Sequence, residues 1–345
     1  MLGIREGEPV SGFASLERMA HDRATTRNHI SRRGVEWTAF LFILPAFVLI
    51  AAFHIFPVLY AIYISLHTGA INRFTYVGLD NYIRALEGAD FWNALSVTIW
   101  YVALTLPATL VLGLVLAYLL YQPIRGRGIY RTIYFLPYVI STVASSIVWA
   151  WVFDPQSGVA NLILQRIGLA PLRWLIEPSG IGQVMGAQVG VSLPGWAQGP
   201  SVALIAVAIF TIWQSLGYVT VIFLAGLTNI PGELYDAAHI DGANALQLFR
   251  HITLPLLTPT TFFVVVISVI ASFQAFNQIF AMNTAAAQTL GGPLGSTSTL
   301  TVFMFDQLYT YANYGYASAI AVLLSILILV LTLVNFRALG ARVQY

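Results

Sequence analysis

The chain contains no cysteine and no lysine. Without cysteine there is no disulfide, no thiolate metal site and no cysteine nucleophile. Without lysine there is no P-loop grip on phosphate and no Schiff-base chemistry. Charge of either sign is scarce: 9% of the 345 residues are charged, where an average soluble domain has about 25%. The 16 basic residues, all arginine, and 14 acidic ones leave a net charge of +2, too small for a nucleic-acid footprint. Apolar surface is abundant, at 58% of residues and a mean hydropathy of +0.77. Such a chain cannot cover itself with polar groups, so it reads as a polytopic membrane protein.

A membrane helix needs roughly 20 largely apolar residues. Six segments meet that length: Thr38–Leu66, Ala94–Tyr121, Thr132–Phe153, Val202–Leu227, Thr260–Met282 and Ala317–Phe336, none holding Asp, Glu or Arg. The first is longer than the core of a cleaved signal and comes after a charged tail, residues 1–37, with Arg5, Arg18, Arg23, Arg27, Arg32 and Arg33. It therefore reads as a span, and the tail as a solvated or interfacial arm. His54 is the sole histidine within a span. With no acidic neighbour in any span it reads as a packed or hydrogen-bonded residue, which disfavours a proton relay. Basic loops stay in the cytoplasm. Placing the N-terminus there puts 12 of the 16 arginines inside, among them Arg125, Arg127, Arg131, Arg250, Arg337 and Arg342. Both termini are then cytoplasmic. This leaves three outside segments, near residues 67–93, 154–201 and 283–316. The second is either a docking surface or a solvated connector.

The fourth inside segment, residues 228–258, carries the strongest pattern. Pro231 and Glu233 suit the start of a short helix. Asp241 and Gly242 read as a turn, with Gly242 supplying a positive φ and Asp241 able to cap the next helix. That second short helix runs to about Arg250, and Leu254-Pro255 opens the next span. The expected form is helix, glycine turn, helix, flat on the cytoplasmic face.

This segment resembles the coupling loop of permease subunits of binding-protein-dependent ABC importers. The family pattern is Glu-Ala-Ala, three residues, Gly, nine residues, Ile-x-Leu-Pro. Ala237, Ala238, Gly242, Ile252, Leu254 and Pro255 match it, Asp236 replaces the Glu, and Asp241 and Ala243 complete the Asp-Gly-Ala form of sugar permeases. Tyr76–Tyr82, Arg131–Pro137, Ile212–Tyr218, Gly291-Gly292-Pro293 and Tyr314–Ala319 are similar to other parts of the same family. The resemblance runs from about residue 38 to 340 and is nearest the maltose and glycerol-3-phosphate type of carbohydrate permease. It implies an all-α integral membrane protein with six transmembrane helices and the type I ABC importer permease fold. It also implies a bacterial or archaeal plasma membrane and no cofactor or metal. The implied partners are a second related permease, two ATPase subunits that hydrolyse ATP, an extracytoplasmic solute-binding protein and membrane lipid. The segment from about Leu169 to Gly199 is longer than the family norm.

Substrate-pathway candidates come from residue type and spacing. Gln274, Asn277 and Gln278 fall at i, i+3 and i+4, one face of a helical fifth span. Amides there line a polar path for hydroxyls or join helices. Tyr138, Ser141, Ser145 and Trp149 form a similar stripe in the third span, and Trp213 and Gln214 lie mid-way along the fourth. No span holds an arginine for a phosphate, so a neutral sugar or oligosaccharide is preferred to glycerol-3-phosphate or another small polar solute. A secondary transporter is disfavoured by the lack of ionisable residues in the spans. No catalytic constellation is present in the sequence.

Overall fold

A computed structural model describes residues 32–69, 73–188, 190–194, 197–287 and 289–340. Most of the tail, including Arg5, Arg18, Arg23 and Arg27, lies outside the described residues, as does Arg342. The chain divides into two compact units, Met1–Tyr60 and Ala61–Tyr345.

In the first unit, α1 (Arg32–Ile50) opens into a π-helical turn, Ala51–Ile55. The Phe56 N–H bonds five residues back to the Ala51 carbonyl. Pro57 comes next, at the start of α2 (Phe56–Ser65), a helix that runs on into the second unit at Ala61. A proline ring presses on the carbonyl four residues earlier and donates no hydrogen bond, and a π turn is one way for a helix to absorb the misfit. His54 sits in this turn with its side chain exposed.

After α2, the second unit has β1 (His67–Thr68) paired antiparallel to β2 (Thr75–Tyr76), followed by α3 (Asp80–Glu87). Then come α4 (Ala89–Tyr121), α5 (Arg127–Val139), α6 (Thr142–Val152), α7 (Val159–Arg166), α8 (Ile181–Gln188) and α9 (Val202–Thr228). After these run α10 (Gly232–Ile240), α11 (Ala245–Leu248) and α12 (Leu254–Leu256), the last two joined by a π turn over Phe249–Thr253. The unit closes with α13 (Thr258–Phe273), α14 (Asn277–Ala287), α15 (Leu300–Tyr309) and α16 (Tyr314–Gly340). The long helices α4 and α9 form the central pair, with Tyr101, Phe210, Phe223 and Leu227 fully buried around it. Gly217 of α9 lets α5 cross closely, because a Cβ there would meet the Tyr134 carbonyl oxygen.

Among the described residues, four helices are long and apolar enough to cross a membrane: Phe40–Ser65, Ala89–Tyr121, Val202–Thr228 and Tyr314–Arg337. Two bent pairs raise the number to six if each counts as one span: α5 with α6, at 96°, and Ala245–Leu256 with α13, at 64°. The expected third span, 132–153, is therefore not one straight helix. Pro137 removes a hydrogen bond from the last turns of α5, and the chain extends at Ile140 (ψ 143°) before α6 starts. The expected fifth span, 260–282, is also interrupted: α13 stops at Phe273 and α14 starts at Asn277. Backbone groups freed in a membrane need partners inside the protein. Here Thr301 Oγ1 donates to the Ala275 carbonyl at 2.5 Å, and Thr299 Oγ1 reaches it at 3.4 Å.

Much of the segment 154–201 is folded among its described residues. The buried Asn161 side chain donates to the carbonyls of Pro155 and Leu172 and accepts from Leu172 N–H and Trp174 Nε1. Trp174 and Leu175 join the main core beside Phe153 and Phe210. Asp154 begins the segment with an Asx turn. The Ser157 N–H, then the Ser157 hydroxyl, hold its carboxylate below the usual range, with Gln156 N–H adding a further bond.

Candidate functional site

Two places in the second unit bring candidate residues together. The first is the turn at Gly242. Pro231 caps α10 from outside the helix and Glu233 sits in its first turn, where an acidic side chain meets the positive end. Gly242 takes φ +80°, and its N–H bonds to the His239 carbonyl at 3.1 Å while Ala243 N–H bonds to the Ala238 carbonyl at 2.9 Å. These are the backbone bonds that end a helix in a left-handed residue. The cap of the next helix is Asn244, not Asp241. Asn244 Oδ1 accepts from Gln247 N–H at 2.9 Å, and Gln247 Oε1 accepts from Asn244 N–H at 2.8 Å, a capping box. The second helix also runs beyond Arg250. It widens to the π turn ahead of Pro255, as the first unit does ahead of Pro57, and continues to Leu256. Tyr235 Oη lies 3.0 Å from Thr253 Oγ1 and ties α10 to that turn; burial pushes the Tyr235 phenol above its ordinary pKa.

Asp236, Ala237, Asp241, Gly242, Leu254 and Pro255 are exposed, Ala238 and Ala243 are half-buried, and Ile252 packs on the core. The turn borders a hollow of about 400 Å³ walled by Ala238, Asp241, Gly242, Ala243, Leu248 and Ile252, among others. Two apolar side chains beside it project into the open: Ile240 is 87% exposed and Leu246 is 74% exposed. Neither belongs to the motif spacing. Their signal in sequence was an isoleucine before Asp241-Gly242 and a leucine four residues after it.

The second place is a polar cavity of about 290 Å³ among α4, α5, α9, α13 and α14. Its walls carry the hydroxyls of Tyr101, Thr105, Thr109, Tyr138, Thr211, Ser215, Tyr218, Ser268 and Ser272 and the amide of Gln278. Gln278 Nε2 donates to Tyr101 Oη at 2.8 Å, Tyr101 Oη donates to Thr211 Oγ1 at 3.0 Å, and Thr211 donates to the Val207 carbonyl. Tyr138 and Tyr218 stack with centroids 4.6 Å apart. The lining has no carboxylate, guanidinium or imidazole.

The sequence-derived candidates separate in this frame. Tyr138 and Gln278 line the cavity. Gln274 and Asn277 are exposed and flank the break between α13 and α14, so the three amides do not share one continuous helix face. Ser141 is exposed across the 96° bend from Tyr138. Ser145 is buried and donates back to the Ser141 carbonyl at 2.9 Å. Gln214 is buried and joins α9 to α6 through Thr142 Oγ1 at 3.0 Å. Trp213 packs with Trp149 and Phe210. Sequence reading missed Tyr101 and the threonine column, because hydroxyl residues at Tyr101, Thr105 and Thr109 in α4 read as ordinary tolerated polar positions in an apolar run.

Known proteins are similar to this chain in sequence and in fold. Residues 109–345 match the family model described as the binding-protein-dependent transport system inner membrane component. A probable ABC transporter permease protein of Pyrococcus horikoshii is 36% identical, the match covering 79% of this chain and 86% of that protein. The trehalose/maltose transport system permease protein MalF of Thermococcus litoralis is 32% identical over 80% of this chain and 84% of its own length. The lactose transport system permease protein LacF of Rhizobium radiobacter is also 32% identical, over 84% and 89%. In fold, the chain is similar to a crystal structure of a bacterial ABC transporter involved in the import of alginate. That match has a TM-score of 0.71 and 21% identity, covering 90% of this chain and 98% of the other.

Proposed function

The chain belongs to the family of inner membrane components of binding-protein-dependent transport systems, and we propose that it is the permease subunit of an ATP-driven importer for a neutral sugar or oligosaccharide. The observation that carries this reading is the Gly242 turn. A rigid, doubly capped helical hairpin presents Ile240 and Leu246 to the outside beside an open hollow. That is the shape of a helix-in-groove contact. The groove belongs to a separate ATPase subunit, since this chain has no lysine for a P-loop. A second permease completes the pathway, and an extracytoplasmic binding protein delivers the solute. Both termini and the Gly242 turn lie in the cytoplasm, in keeping with the arginine distribution.

The sugar reading draws support from the cavity. A pocket whose walls set hydroxyls and one amide among Leu106, Val219, Ile267 and Ala271 can donate to and accept from a polyol, and it offers no fixed charge to a phosphate. The names of the trehalose/maltose and lactose relatives agree with that chemistry. Gln278, Tyr101 and Tyr138 are assigned to the pathway, with Gln274 and Asn277 at the helix break as its exposed amides. Ser141 stays a pathway candidate; Ser145, Trp213 and Gln214 fit better as packing and joining residues.

The test uses the full transporter, co-expressed with its ATPase. Gly242→Val should leave the chain in the membrane but lower ATPase co-purification or disconnect hydrolysis from uptake of radiolabelled disaccharides. Normal uptake with the ATPase still bound removes the coupling role. Because the chain has no cysteine, Gln156→Cys should react with an impermeant maleimide added to intact cells and Leu246→Cys should not. Labelling of position 246 from outside reverses the topology.

A further inference from the structure

We propose that Arg127 and Arg131 form a binding site for the phosphate of an anionic phospholipid headgroup. Both lie in the first turns of α5, four residues apart and so on one face. Arg127 Nε and Nη2 and Arg131 Nε are buried from solvent, yet none has a hydrogen-bond partner. Buried polar atoms in folded proteins are paired as a rule, and an orphaned guanidinium N–H calls for an acceptor from outside the chain. The local sequence provides no anion: from Phe91 to Phe153 there is no Asp or Glu. A guanidinium fork fits phosphate oxygens in two-pronged fashion.

The setting selects a lipid as the source. Tyr130 and Tyr134, each three residues beyond an arginine and so its neighbour on the helix surface, are exposed. Exposed tyrosines are characteristic of headgroup depth. Elsewhere on the circumference of α5, Ile129 (67%) and Ile133 (58%) are exposed, as expected of side chains that face acyl chains. Basic pockets between membrane helices on the cytoplasmic side are suited to anionic headgroups. Neither arginine lines the polar cavity or the hollow at the Gly242 turn, so the site is not part of the assigned solute pathway.

Purified full-length transporter in detergent should be titrated with dioleoylphosphatidylglycerol, dioleoylphosphatidylcholine or inorganic phosphate, and retained lipid counted by native mass spectrometry. The wild type should retain phosphatidylglycerol over phosphatidylcholine by about tenfold, and Arg127→Gln/Arg131→Gln should erase that preference, the size expected for a lost charge-assisted contact. Arg127→Lys/Arg131→Lys, which keeps charge but not the fork, should lie between and guards against a misfolded glutamine pair. Arg84→Gln, on α3, should behave as wild type. Equal retention of the two lipids by the wild type overturns the site. So does unchanged phosphatidylglycerol binding in the double variants. A thermal shift with inorganic phosphate equal to that with phosphatidylglycerol overturns the lipid as its source.

Discussion

Two glycine turns at opposite ends of α9 share a positive φ and differ in what surrounds them. Gly242, beyond the C-terminal end, has φ +80°, and a Cβ built there would meet no atom within 4 Å. Gly292 has φ +72°, and a Cβ there would collide with Thr297 Oγ1 and come within 3.2 Å of Asn283 Oδ1. Gly292 and Thr297 of the second turn are buried in the protein, while Leu294 at its tip is 90% exposed. Asn283 Nδ2 donates to Thr297 Oγ1 at 2.7 Å, Leu300 N–H donates to Thr98 Oγ1, and Ser201, the N-cap of α9, donates to the Ser296 carbonyl. The first turn has satisfied its own backbone and left its outer surface bare. A motif of small residues can thus serve internal packing or an external contact, and only the surroundings tell which.

The largest effect should come from breaking the turn at Gly292. Gly292→Val puts a branched side chain at φ +72°, ψ −176°, a strain of about 1–3 kcal/mol, on top of overpacking of about 1–3 kcal/mol. Thermal melting in detergent should show a marked loss of stability and of monodisperse protein. The same change at Gly242 carries the strain alone and should melt closer to wild type. Equal losses at both positions would abolish the distinction between the two turns.

A smaller loss should result from Thr301→Val, which keeps shape and removes the hydroxyl that holds the Ala275 carbonyl. A buried acceptor left without its main partner costs about 1–3 kcal/mol. Thr299, at 3.4 Å, is placed to take up part of the load, so Thr299→Val/Thr301→Val should cost more than the sum of the single changes. Strict additivity in melting would mean that the two hydroxyls act independently, and unchanged melting in the double variant would mean that the break between α13 and α14 does not depend on them.

These residues also show how much was legible in the sequence. Long apolar runs without charge identify membrane helices, because lipid tolerates little else, and α4, α9 and α16 lie where hydropathy put them. The turn at Gly242 was legible because positive φ restricts the residue type at that position. The breaks at Ile140 and at Gln274–Phe276 were not. Hydropathy is blind to backbone direction, and the partners that stabilise the second break, Thr299 and Thr301, lie about 25 residues further along the chain. The helical-face argument for Gln274, Asn277 and Gln278 failed for that reason. Tyr101 was missed because its importance arises from Thr211 and Gln278, contacts 110 and 177 residues away.

The smallest effect on stability and the sharpest on function should come from Ile240. At 87% exposure its side chain makes little contact within the chain, and a surface substitution away from special features changes stability by no more than about 0.5 kcal/mol. Ile240→Ser should therefore melt with the wild type. If the bare side of the Gly242 turn meets the ATPase, the same substitution removes a buried apolar contact of about 1.5–3 kcal/mol, which weakens association by roughly tenfold or more. Asp236→Glu, on the same short helix, retains its charge and restores the family residue, so it should leave both quantities unchanged. Co-purification and a titration of ATPase onto transporter in nanodiscs, at matched expression, read the difference. Weakened association without a change in melting is the signature of a surface kept bare for a partner. If Ile240→Ser binds the ATPase like wild type, the exposed tip lies outside the contact, and the docking face must be sought along Asp236, Ala237 and the wall of the neighbouring hollow.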